Sequence, residues 1–177
     1  MKYFVTGTGT DVGKTYITKL LCKEKGWSAL KPVECGSNDS KILGCQPLYK
    51  FKAPLAPNMA AKLEGVEIDF NKIIEFCQKS AANLIEGAGG VMSPITDDKT
   101  NLDLIKALGL PVILVCGSYL GSITHTLTAL AVLKGMQVEV ILSESELEFV
   151  GGGVDVRETA KQIENFSGIK PRVVLRS

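Results

Sequence analysis

The sequence predicts an α/β domain: a mostly parallel sheet with helices on both faces. Three observations lead there. Short apolar runs without polar alternation recur along the chain, as expected of strands buried on both sides. Helical or turn-rich stretches separate them, which is the connection that parallel strands require. Polar or glycine-rich segments stand repeatedly at the carboxyl ends of the runs, where open parallel sheets bind ligands.

Taken in order, Tyr3-Phe4-Val5 is the first strand, and Thr15 to Lys25 reads as a helix closed by Gly26. Trp27 to Val33 is expected as a second strand. Leu48 to Pro57 carries two prolines and is expected as a loop over the sheet edge. Ala82 to Ile85 is a further strand, and Pro111 to Cys116 the strongest of all. Ser122 to Leu133 reads as a helix with Ser122 as N-cap. Val138 to Leu142 and Arg172 to Leu175 are strands, with the helix Val156 to Phe166 between them. With no repeat, linker or low-complexity stretch, residues 1–177 are expected to form one domain.

Composition narrows the function classes. A net charge of +1 gives no basis for nucleic acid or an anionic membrane as partner, and no apolar run is long enough to span a bilayer. The cysteines at 22, 35, 45, 77 and 116 are odd in number and form no C-x-x-C pair. They suit reduced thiols in the cytoplasm.

Four stretches carry chemistry. The first, Gly7 to Thr15, reads GTGTDVGKT. It departs by one position from G-x-x-x-x-G-K-[ST], because Thr8 stands where that pattern has its first glycine. Strand, glycine loop and helix nevertheless come in the order a phosphate-binding loop needs. Free backbone N–H groups and the helix dipole favour a phosphate, Lys14 can reach the terminal phosphates, and the Thr15 hydroxyl can ligate Mg²⁺.

The second, Lys31-Pro32-Val33-Glu34-Cys35-Gly36-Ser37-Asn38-Asp39, puts a cation at a strand end and offers Asp39 as a magnesium carboxylate. In the third, Glu86-Gly87-Ala88-Gly89-Gly90, a carboxylate ends a buried strand and glycines let a nucleotide approach the backbone. The fourth, Gly117 to His125, follows the strongest strand. Its His125 is the only histidine, and no nucleophile triad surrounds it.

Together these stretches resemble the dethiobiotin synthetase family, whose members show G-T-x-T-[DE]-V-G-K-T, K-P-V-x-[ST]-G, E-G-A-G-G and L-P-V-I-L-V before L-G-x-I-N-H. Here the matching segments are GTGTDVGKT, KPVECG, EGAGG, and LPVILV followed by LGSITH; the proline-rich APLAPNMAA at 53–61 also fits. The likeness spans roughly residues 2 to 142 and implies a single-domain P-loop NTPase-like fold.

It also implies an enzyme of biotin biosynthesis, a ligase that forms carbon–nitrogen bonds. The reaction closes the ureido ring of dethiobiotin from 7,8-diaminononanoate, CO₂ and ATP with Mg²⁺, through a carbamate and a carbamic–phosphoric anhydride. The resemblance assigns catalysis to Lys31, Lys14 and Thr10, and the nucleotide to Asp11, Val12, Gly13, Lys14, Thr15, Tyr16, Asp39, Glu86, Gly87, Ala88 and Gly89. Thr15, Asp39 and Glu86 would ligate the metal. Thr10, Lys31, Cys35, Leu120, Gly121 and Thr124 would meet the diamine, the last three from the partner subunit of a homodimer.

The chain has Cys35 where the family has Ser or Thr, Thr124 where it has Asn, and Glu144-Ser145 where an Asn-Asp pair commonly reads adenine. The alternatives are a partner-regulated ATPase switch and a homologue that binds nucleotide without turnover. The first normally has an extra lysine early in the loop, where this chain has Gly7, Thr8 and Gly9.

Overall fold

The computed structural model describes residues 1–144 and 155–175. In chain order, β1 (Tyr3–Gly7) runs through the glycine loop into α1 (Lys14–Lys25), followed by β2 (Ala29–Leu30) and β3 (Val33–Cys35). Then come α2 (Asp39–Leu43), β4 (Tyr49–Phe51), α3 (Pro57–Leu63) and α4 (Phe70–Lys79). The second half holds β5 (Leu84–Gly90), α5 (Asn101–Leu108), β6 (Val112–Ser118), α6 (Ser122–Val132), β7 (Val138–Glu144), α7 (Val156–Ser167) and β8 (Arg172–Val174).

Six strands form one parallel sheet in the order β2-β5-β1-β6-β7-β8, and β3 and β4 pair separately, also in parallel. The alternation of side chains divides each central strand between two apolar layers. Phe4, Ile85, Leu114 and Leu142 point to the layer covered by α3 to α7, while Val5, Leu84, Ile113 and Ile141 meet Ile17 and Leu21 of α1. Full burial of a side chain of this size contributes roughly 1.5–3 kcal/mol, so α1 is held by its apolar face. Helix ends follow local chemistry. Gly26 closes α1 at φ 66, Asp69 accepts from Asn71 and Lys72 at the start of α4, and Thr100 with Asp103 forms a capping box on α5.

Several elements differ from expectation. The run Trp27 to Val33 is two strands in two sheets, because Pro32 has no N–H for the main ladder. Its carbonyl instead accepts from Leu48 and Tyr49, which draws the chain over to β4. Thus part of Leu48 to Pro57 is a strand, not a loop. The segment Glu86 to Gly90 continues β5 instead of turning away from it. A Cβ at Gly87 would press on the Phe4 ring and Asn101, and one at Gly90 on the Gly7 carbonyl, so glycine is needed for close strand contact. At α6 the N-cap is Gly121 at φ 93, and Ser122 is the first helical residue with its hydroxyl unused. The helices α2 to α5 are additional to the expected elements, although Phe70, Ile73, Ile74 and Cys77 of α4 follow the i, i+3, i+4, i+7 spacing of an amphipathic helix. Among the described residues no helix is long and apolar enough to cross a membrane.

Candidate active site

The carboxyl ends of β1, β2 and β5 meet at one rim of the main sheet. There the loop after β1 turns through Asp11 at φ 58 and Gly13 at φ 94 into α1. Asp11 is the one non-glycine residue with positive φ among those described, a conformation that costs a non-glycine residue on the order of 1 kcal/mol. Lys14 folds back over this loop and donates to the Gly9 carbonyl at 2.8 Å. Burial, with Lys31 nearby, lowers its pKa to about 8. An ammonium held so poorly solvated has much to gain from an incoming phosphate.

Register explains the next contacts. Leu30 of β2 stands beside Ile85 of β5, so the following residues, Lys31 and Glu86, are brought together. Lys31 Nζ lies 2.7 Å from Glu86 Oε1 and 2.8 Å from Asp39 Oδ2. Glu86 is fully buried, and also accepts from Thr15 Oγ1 at 2.9 Å and Thr18 Oγ1 at 2.6 Å. Burial alone would lower the Lys31 pKa, but Glu86 and Asp39 outweigh it and hold the ammonium charged above its ordinary value. Asp39 is held below the usual carboxylate range, its partial burial being overcome by Lys31 and by hydroxyl donors.

Five of the expected residues, Lys14, Thr15, Lys31, Asp39 and Glu86, therefore share one cluster. Asp11, Val12 and Gly13 form the loop beside it, with Thr10 and Tyr16 exposed at its edges. Gly87, Ala88 and Gly89 continue from Glu86 along β5. Cys35 is half-buried at the end of β3, where burial pushes its thiol up to about 11; it is a neutral weak donor at physiological pH.

Leu120, Gly121 and Thr124 stand apart, in the turn after β6 and the first turn of α6. No hydrogen bond or ion pair among the described residues ties them to the Lys31–Glu86 cluster. His125 shares a 2.9 Å hydrogen bond with the Tyr119 hydroxyl. Of the pair expected to face the base, Glu144 ends β7 and Ser145 lies outside the described residues.

Sequence reasoning missed Thr18 and Asn101. Thr18 lies one helical turn from Thr15, so its spacing could have revealed it. Asn101 donates to the carbonyls of Ala88 and Gly90 at 2.7 and 2.8 Å, fixing the end of β5. Only the fold brings it there.

The donor set suits a hard cation. Thr15, Asp39 and Glu86 supply only oxygen, and the ammonium of Lys31 already bridges the two carboxylates. Among the described residues no three His, Cys, Asp or Glu side chains converge as a protein-only metal cage. Two carboxylates and a hydroxyl are donors of the kind that Mg²⁺ commonly takes beside substrate phosphates.

Residues 1–174 match the family model described as AAA domain. The chain is 43% identical to the ATP-dependent dethiobiotin synthetase BioD of a Caulobacter species, over 80% of this chain and 75% of that protein. It is 43% identical to the synthetase of Caulobacter vibrioides, over 82% of this chain and 80% of the relative. The likeness to that of Methylobacterium nodulans, 36% identical, spans 98% of this chain and 92% of the other.

Proposed function

The chain belongs to the dethiobiotin synthetase family, and from that premise we propose that it is an ATP-dependent ligase closing the ureido ring of dethiobiotin from 7,8-diaminononanoate and CO₂. The observation that carries this reading is the buried cluster of Lys31, Glu86, Asp39 and Thr15 beside the phosphate loop. A loop that only held a nucleotide would have no need of a charged lysine fixed by two carboxylates at an adjacent strand end.

The reaction has three bond-forming steps. One amine of the substrate adds to CO₂ and loses a proton, giving a carbamate. A carbamate oxygen then attacks the γ-phosphorus and ADP leaves, which forms the carbamic–phosphoric anhydride. Finally the neighbouring amine attacks the carbamate carbon, phosphate departs and the ring closes. In the second step two anions are brought together, so the protein's main contribution is position and positive charge.

Lys31 stands at the strand end where carbamate and γ-phosphate would meet. Lys14 meets the phosphates when it leaves the Gly9 carbonyl. Thr10 and Asp11 line the boundary between nucleotide and acceptor, and Cys35 faces the diamine. Mg²⁺, held by Thr15, Asp39 and Glu86, would neutralise charge on the β- and γ-phosphates. Val12, Gly13, Tyr16 and residues 87–89 form the rest of the nucleotide contact.

The turn bearing Leu120, Gly121 and Thr124 works in a homodimer, closing the diamine site of the partner subunit. Its support is an exposed Leu120 and two buried serine hydroxyls, Ser118 and Ser122, that have no hydrogen-bond partner among the described residues. The free thiols suit the cytoplasm.

Incubation with diaminononanoate, bicarbonate, Mg²⁺ and ATP, followed by mass spectrometry, is expected to yield dethiobiotin. Diamine-independent ATP hydrolysis without ureido product would overturn the assignment. Repeating the assay with GTP and CTP reads the base preference left open by Glu144-Ser145.

A further inference from the structure

One buried charge near the cluster takes no part in the reaction. Glu34, in the middle of β3, is fully buried, and its carboxylate is turned towards the start of α2. Oε1 accepts from the Ser40 backbone N–H at 3.1 Å, and Oε2 from the Ser40 hydroxyl at 2.5 Å and Lys50 Nζ at 3.0 Å. Lys50 stands directly opposite Glu34 in the β3–β4 ladder. Burial opposes the charge, but these donors prevail and hold Glu34 below the usual carboxylate range.

The contact that links Glu34 to the active site is Ser37. Its hydroxyl lies 3.3 Å from Glu34 Oε1 and 3.1 Å from Asp39 Oδ2, so one proton is shared between the two carboxylates. Asp39 Oδ2 is the same oxygen that meets Lys31. Between Lys31 and Asp39 the chain makes a tight reversal at Gly36, φ 60, where a Cβ would overlap Pro54. Glu34 holds both residues flanking Asp39's own backbone turn, Ser37 before it and Ser40 after it.

We propose that Glu34 is a positioning residue: by gripping Ser40 and Ser37 it sets the Asp39 carboxylate at the Lys31 ammonium, in place to help hold Mg²⁺·ATP. Asp39 is partly exposed on a five-residue helix, too short to fix its own orientation. A rigid, buried carboxylate behind it removes that freedom before substrate arrives. Groups that orient a metal ligand in this way commonly change metal affinity or activity by about 10–100-fold when removed. The inference rests on the proposed ligase reading for the role of Asp39, but its test does not require product.

The test is ATP binding by calorimetry, with and without Mg²⁺, on wild-type protein and on Glu34→Gln, Glu34→Ala, Ser37→Ala and Asp39→Ala. The quantity read is the gain in ATP affinity that Mg²⁺ confers. Glu34→Ala is expected to cut that gain about tenfold, with Glu34→Gln recovering part of it, since an amide oxygen still accepts from Ser40. Ser37→Ala is expected to fall between wild type and Glu34→Ala. In the Glu34→Ala/Asp39→Ala double variant the loss should equal that of Asp39→Ala alone, because the first residue acts through the second.

In Glu34→Gln and Ser37→Ala, metal-free ATP affinity should change less than twofold, and the KM for the diamine should stay near wild type. Should Glu34→Ala fail to fold, Ser37→Ala, which leaves Glu34 and Lys50 in place, decides the matter. An unchanged Mg²⁺ gain in Ser37→Ala and Glu34→Gln, or full additivity of the double variant, would overturn the proposal. Wild-type protein that gains affinity from Mg²⁺ but makes no dethiobiotin would instead refute the ligase reading and leave this one standing.

Discussion

Two rims of the same sheet are built in opposite ways. At the ends of β1, β2 and β5, the charged groups are paired, although the Thr6 hydroxyl is not: Glu86 takes three donors, Lys31 two carboxylates and Lys14 a carbonyl. At the end of β6, one strand away from β1 on the other side, the hydroxyls of Ser118 and Ser122 are buried without partners among the described residues and Leu120 is 71% exposed. The ion-paired cluster of the first rim is assembled within one chain, so Lys31, Glu86 and Asp39 are in place before substrate binds. The second has donors and apolar surface to spare, as expected of a surface finished by another molecule.

The largest effect expected from breaking the first rim is on turnover. Lys31→Ala should lower kcat by about 100- to 1000-fold while ATP binding by calorimetry is retained. An unchanged kcat would remove Lys31 from the chemistry.

On the second rim, Leu120→Asp should raise the KM for the diamine about tenfold, and shift the protein towards monomer in analytical ultracentrifugation, with ATP affinity unaffected. A monomeric wild type would show that this rim is finished by something other than a second copy.

A smaller effect concerns pH. Lys14 is depressed to about 8 in the free protein, whereas bound phosphates would keep it protonated. Between pH 8 and the ordinary lysine value of 10.5, free protein has lost the proton that the complex retains. ATP affinity should therefore fall as pH rises through 8, by up to about tenfold per pH unit, and binding at pH 9 should take up a proton. Calorimetry in buffers of different ionisation enthalpy reads that proton directly. For folding the sign is opposite to that of a paired lysine. The penalty for burying the charged Lys14 is present below pH 8 and fades as pH rises towards 10.5.

Two substitutions should change little, and they sharpen the contrast between the rims. Cys35→Ser replaces a neutral thiol by a better donor and should leave kcat within about twofold while lowering the diamine KM; a large loss would give the thiol a role of its own. Ser122→Ala removes a buried hydroxyl that has no partner among the described residues, so the unfolding free energy of the isolated protein should not fall, and should rise by up to about 1 kcal/mol, in urea titration.

The two rims were also legible to different degrees. The loop from Gly7 to Thr15 is local: strand, glycines and helix start follow one another, and the sequence alone indicates phosphate. Lys31 and Glu86 could be picked out as strand-end charges, and Asp39 as a carboxylate a few residues beyond Lys31. Their meeting depends on β2 pairing with β5, a register that only the folded sheet supplies. Glu34 was the variable letter of its motif, and its burial depends on Lys50 lying opposite in a small sheet that the prolines concealed. The turn after β6 looked like an ordinary serine cap. Gly121 took that place by adopting a left-handed backbone, which released the serine.

The pairing of β1 has a consequence for how the chain reaches this state. The strand that carries the phosphate loop is flanked by β5 and β6, with Tyr3 beside Leu84 and Phe4 beside Val112. Both neighbours lie far along the chain, so β1 has no ladder on the β5 side until almost half of these residues are available, and none on the β6 side until well over half are. Such non-local pairing slows folding and leaves an apolar strand edge open during synthesis. The catalytic loop should thus be among the last regions to acquire protection in pulsed hydrogen exchange, although it follows the first strand of the sheet.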